Sequence, residues 1–103
     1  MELVNNEKLN ELLEASPAPR VTKDGIESRI EETFFTKIGL TLTHCRIVLD
    51  NGFSVSGEAS CVNTANYNQE IGERIAYDNA FAKLWALYGF FLAEDTLRAK
   101  TPV

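Results

Sequence analysis

Histidine is almost missing from this chain: His44 is the only one in 103 residues. Ser-His-Asp or Cys-His catalysis would rest on that single side chain. Cysteine is scarce too. Cys45 and Cys61 make neither a CxxC pair nor a disulfide framework, and with one histidine they form no metal-ligand set. There is no GxSxG, no HExxH and no glycine loop built to cradle phosphate. No metal, no cofactor and no enzymatic activity is expected.

Long apolar runs are also absent. The longest, Ala80 to Ala93, spans 14 residues and contains Lys83, whereas a membrane span needs about 20. Met1-Glu2-Leu3 lacks the positive and apolar regions of a signal peptide. A soluble, intracellular protein with no membrane partner is expected. Clustered cations are missing as well. Lysine and arginine total 10 against 15 acidic residues, a net charge of −5, and the basic residues are scattered. Binding along a phosphate backbone needs a basic stripe, so nucleic acid is not an expected partner.

What is present is the composition of a folded domain. Apolar residues make up 45% of the chain, which excludes a disordered polymer. Residues 6–15 pattern as a short amphipathic helix, with Leu9, Leu12 and Leu13 on one face. Ser16-Pro17-Ala18-Pro19 breaks it, because two prolines remove donors and extend their neighbours. Residues 1–18 are therefore read as a helix and proline linker, and 19–103 as one α+β domain. Thr22 caps a second short helix expected over 23–32, with Ile26 and Ile30 as its apolar pair. β-branched and aromatic residues then predict an antiparallel three-stranded meander over about 33–38, 41–49 and 53–62.

The turn at Leu49-Asp50-Asn51-Gly52-Phe53 decides the register of that meander. A two-residue Asn51-Gly52 loop would send the apolar residues of the two strands to opposite faces. A three-residue loop with Gly52 left-handed pairs Leu49 with Phe53, Ile47 with Val55 and Cys45 with Gly57. Cys45, Ile47, Leu49, Phe53, Val55, Ala59 and Cys61 then share one face. A one-residue slip flips every side chain, so burial selects the three-residue loop. Cys61 then falls opposite Thr41, about 13 Å along the strand from Cys45, too far for a disulfide. His44 faces away from both.

From about residue 68 to 88 or beyond the chain reads as one long helix packed on the sheet. Its second half, "AFAKLWALYGFFLA", is apolar almost all round, and such a helix must be covered on more than one side. Phe81, Trp85, Tyr88, Phe90 and Phe91 each bring roughly 150–250 Å². Three left exposed would make a patch of about 500 Å², large for a monomer. A homodimer through these five residues is expected, or docking of the first helix over them. Gly89 is expected to kink or end the helix, and Gly72 to mark a close backbone approach.

Few other residues are candidates for a site. Glu58 follows Gly57 on the outer face among serines, within reach of Arg46 or Arg74. Arg46, Arg74, Tyr67 and Tyr77 have the phosphate-binding and ring-stacking chemistry of a nucleotide site. Glu70, Glu73 and Asp78 read as a solvated helix face rather than a paired acid and base.

One string of residues is distinctive in its order. Pro19-Arg20-Val21-Thr22 is followed by Asn51-Gly52-Phe53, Gly57-Glu58-Ala59, Cys61-Val62, Glu70-Ile71-Gly72, Ile75-Ala76-Tyr77-Asp78-Asn79-Ala80, Lys83-Leu84-Trp85 and Gly89. From Pro19 to Leu92 this resembles a family of small tailed-phage and prophage proteins named after gene products forty-nine and sixty-six of two enterobacterial phages. Lys23 stands where that family often has proline. The resemblance implies an accessory protein of the infected bacterial cytoplasm and carries over no catalytic residue. The expected function is a non-catalytic interaction module that binds a host or phage protein, with a host defence as candidate target. The alternatives are a binder of a small nucleotide signal and a minor virion protein.

Overall fold

The computed structural model describes residues 2–100; Met1 and residues 101–103, at the ends of the expected N-terminal segment and domain, lie outside them. Two helices, three strands and a 3-10 turn build the body, and one helix stands apart. Helix α1 (Asn6–Glu14) is followed by α2 (Lys23–Glu27), β1 (Ile30–Ile38), β2 (Leu42–Leu49), β3 (Ser54–Ser60), a 3-10 turn (Thr64–Asn66) and α3 (Gln69–Lys100). The strands form an antiparallel meander in the order β1-β2-β3. The α+β class, the meander and the long C-terminal helix match the reading of the sequence.

The turn between β2 and β3 is the three-residue loop. Leu49 N donates to Phe53 O at 2.8 Å, and Gly52 N donates to Leu49 O at 2.9 Å. Gly52 is left-handed, with φ 89°, a conformation that costs an L side chain but not glycine. Ile47 pairs with Val55 and Cys45 with Gly57. Cys61 N donates to Thr41 O, which places the second cysteine at the far end of the ladder, and both thiols are free. One face of β2, carrying Thr43, Cys45, Ile47 and Leu49, is buried.

Helix α3 covers that face over β2 and β3. Asn68 caps its start, with Oδ1 accepting from Ile71 N at 3.1 Å. The closest approach is at Gly57 of β3. A Cβ there would lie against Ala80 N and sit 2.6 Å from Ala76 O. Glycine on the strand and two fully buried alanines on the helix let the two backbones meet. Asn79 Nδ2 then donates to Glu58 O at 2.8 Å, fixing the helix along the strand. At Gly72 the helix passes close to a side chain: a Cβ there would sit 2.5 Å from Thr43 Oγ1. Ile26 of α2, Phe81 and Leu84 complete the core.

Three local expectations change. The second helix ends at Glu27, not Glu32, and β1 begins at Ile30, not Thr33. Pairing decides this: Ile30 lies opposite Leu49, and Asp50 N donates to Arg29 O at 2.9 Å. Ladder bonds to β2 replace the helical bonds that Ile30 would otherwise make, and a bulge between Ile30 and Glu32 absorbs the transition. Gly89 does not end α3, which runs on to Lys100. Space around Gly89 is open, so nothing there demands a missing side chain.

Lengths explain the outline. Thirty-two helical residues span about 48 Å, whereas strands of seven to nine residues span roughly 25–30 Å. The end of α3 therefore overshoots the sheet. Helix α1 buries no residue. The extents are 57 × 39 × 21 Å and the radius of gyration is 17.5 Å, against about 13 Å for a compact chain of this length. No helix among the described residues is long and apolar enough to cross a membrane.

Candidate functional site

Two surfaces remain open once the core is built. The first is the margin of the sheet at β1. Helix α3 lies over β3 and β2, so β1 sits at the edge and pairs only with β2. Its side chains alternate as any strand's do, yet both faces are exposed: Phe34 and Ile38 on the outer face, Phe35 on the inner. Arg46, directly across from Phe34, sets its guanidinium 5.1 Å from that ring's centre. His44 lies opposite Glu58 on the same outer face. On the inner side, Lys37 Nζ stands 4.3 Å from the centre of the Tyr67 ring, whose hydroxyl is 3.3 Å from Thr43 Oγ1.

The second surface is the overshooting end of α3. Leu87, Tyr88, Phe90 and Phe91 face the hairpin tip at Leu49 and Phe53 across a cleft of about 250 Å³. Arg29 crosses its floor. Its Nε donates to Asp50 Oδ1 at 2.8 Å and to Oδ2 at 2.7 Å, and its guanidinium lies 5.9 Å from the centre of the Tyr88 ring. The hydrogen bond to Asp50, then the Tyr88 hydroxyl, raise the Arg29 pKa further above its ordinary value, so the cation is permanent. A second cleft of about 300 Å³ shares Arg29, Tyr88 and Phe91 and extends to Val21 and α2.

The five residues expected to bind a ligand do not converge. Arg46 and Glu58 share the outer face of the sheet. Tyr67 sits at the inner margin of β1. Arg74 is exposed on the flank of α3, where its Nε donates to Asp78 at 3.1 Å. Tyr77 turns inward and stacks on Phe81 with ring centres 5.8 Å apart. Burial raises the pKa of the Tyr77 hydroxyl, and that of the Cys45 thiol, above their ordinary ranges.

The expected interface residues divide. Trp85, Phe90 and Phe91 are 42%, 70% and 53% exposed, and Tyr88 is half-buried in the cleft wall. Phe81 is a correction. At 5% exposed it belongs to the core of its own chain, edge-on to Trp85 with ring centres 5.9 Å apart. Sequence reasoning missed Arg29 and Phe53 as cleft residues. Asp50 in the loop was the available signal, because a carboxylate at a hairpin tip invites a cationic partner from elsewhere in the chain.

Among the described residues, no group of three or more His, Cys, Asp or Glu side chains comes together in a way that could hold a metal ion. The meander, the hairpin loop and the first half of α3 all fall within residues 21–96, which match the model of a phage protein family, N4 Gp49/phage Sf6 gene 66. The chain belongs to this family. The Gp49/gene 66 match begins at Val21, after the proline linker, and so leaves α1 outside. Neither the curated proteins nor the solved structures contain a match to the chain.

Proposed function

We propose that this Gp49/gene 66 protein is a phage or prophage accessory module that works in the infected bacterial cytoplasm without chemistry of its own. It acts by binding a host or phage protein, with components of host defence as the candidate targets. The edge strand β1 carries this reading. It is nine residues long, contains no proline, and exposes Phe34, Phe35 and Ile38. Its charges, Glu31, Glu32 and Lys37, flank the apolar stretch, and along Phe34-Phe35 the free N–H and C=O groups of an edge can recruit a further strand. An extended segment of a partner can add to this edge, with Phe34 and Ile38 on one face and Phe35 on the other giving specificity. Arg46, packed on Phe34, supplies a cation at the rim.

Affinity capture from infected cells tests the proposal, comparing the natural chain with Phe34→Glu/Ile38→Glu. Both positions are exposed, so the double variant should melt within a few degrees of the natural chain. A stoichiometric partner that the natural chain retains and the variant loses is the expected result. Equal capture by both, or no stoichiometric partner across several hosts, would sink it.

A further inference from the structure

We propose that two copies of this chain dimerise by exchanging their N-terminal arms, with the leucine face of α1 from each copy lying in the cleft at the end of α3 of the other. The inference is independent of which protein docks at β1.

Helix α1 is capped but not covered. Asn5 Oδ1 accepts from Lys8 N at 2.8 Å, so the helix start is built into the sequence. Leu9, Leu12 and Leu13 share one side and all are exposed, as are Leu3 and Val4 ahead of them. Nine helical residues are too few to hold a helix in water without a surface to lie on. Meanwhile Leu87, Phe90 and Phe91, with Phe53 across the cleft, form an apolar surface that α3 carries past the sheet. One chain thus holds an amphipathic helix without a groove and an apolar groove without a helix.

The areas match. From their exposures, the five apolar arm residues present roughly 450 Å², and the four cleft residues about the same. Two arm-to-cleft contacts would then remove about 1,800 Å² from solvent, within the range of stable specific interfaces, about 1,200–2,000 Å². Packing the α3 ends directly on each other, without the arms, would remove only about 900 Å², below that range.

The linker says why the arm goes to a second copy. Pro17 and Pro19 favour an extended, semi-rigid path. Arg20 Nε donates to Leu13 O at 3.0 Å and holds the end of α1 to that linker. Val21 is then anchored against the core. No residue of α1 lines the cleft of its own chain, and exchange about a two-fold axis satisfies both clefts at once.

Light scattering on the full chain at micromolar concentration tests this, using Leu9→Glu/Leu12→Glu as the arm variant and Phe90→Glu as the cleft variant. The natural chain should have the mass of two 11.5 kDa chains, and each variant the mass of one. All three substituted residues are exposed, and a melting curve for each variant confirms folding. If Phe90→Glu does not fold, the arm variant alone decides. A natural chain that is monomeric overturns the proposal, as does an arm variant that remains dimeric, which would point to direct α3 packing.

Discussion

Replacing Gly57 with alanine should be the most damaging one-carbon change in this protein. The added Cβ would meet backbone atoms of α3: Ala80 N, Ala76 O at 2.6 Å and Asn79 C at 2.7 Å. No rotamer can relieve a clash between Cβ and backbone, so the helix or the strand must retreat by about 1 Å. A gap of that size forfeits roughly a quarter to a half of each dispersion contact it opens. Those contacts are the core itself, because Ala76, Ala80 and Leu84 pack there with Cys45 and Ile47. Overpacking costs about 1–3 kcal/mol in general, and the upper end applies where backbone meets backbone. Alanine recovers about 0.5–1 kcal/mol of backbone entropy relative to glycine, too little to offset this. A net loss of about 2–2.5 kcal/mol corresponds to a fall in Tm of roughly 8–20 °C for a domain of this size. Thermal unfolding followed by circular dichroism, at one fixed protein concentration, measures it. A Gly57→Ala chain melting within about 3 °C of the natural one would refute the contact between helix and strand described above.

The remaining predictions concern the helix overshoot and pH. Gly89→Ala should raise Tm by a few degrees, because Gly89 lies inside a continuous helix with open space around it and alanine gains up to about 1 kcal/mol there; a fall in Tm would show that the helix does break at this point. Stability should decline in alkali. The Cys45 thiol and Tyr77 hydroxyl have pKa values raised by burial, so the unfolded chain releases those protons first. Their contribution is fully present below the unfolded thiol pKa, about 8.5, and is lost as pH rises through the folded values. Urea midpoints at pH 7, 9 and 10 should fall in that order, and less steeply in Cys45→Val; a flat profile would count against the buried placement of both groups.

Much of the fold was legible because its signals are local. The alternation Cys45-Ile47-Leu49 against Val55-Gly57-Ala59 admits only one register that buries both apolar sets. The three-residue loop, the left-handed Gly52 and the separation of the two cysteines follow from that pattern. The capping residues Thr22 and Asn68 mark helix starts for an equally local reason, since a side-chain oxygen three residues ahead satisfies an end-of-helix N–H.

Other features depend on how far one element extends past another. Ile26 and Ile30 are spaced as a helical pair, but Ile30 is captured by Leu49 across the ladder, and no window of sequence contains that competitor. Phe81 and Phe90 look equivalent in an apolar run. They lie nine residues apart, about half a turn around α3, and packing decides that the side bearing Phe81 is the one the sheet covers. Gly57 was legible as a strand residue opposite Cys45, and only the path of α3 makes it the point where two backbones touch. Arg46, Tyr67, Arg74 and Tyr77 had the chemistry of a site, yet the fold distributes them over different surfaces and assembles Arg29, Tyr88 and Phe53 instead. Periodicity along the chain encodes which side of an element is apolar. What covers that side depends on relative lengths and packing angles in three dimensions, and these left the edge of β1 and the end of α3 open.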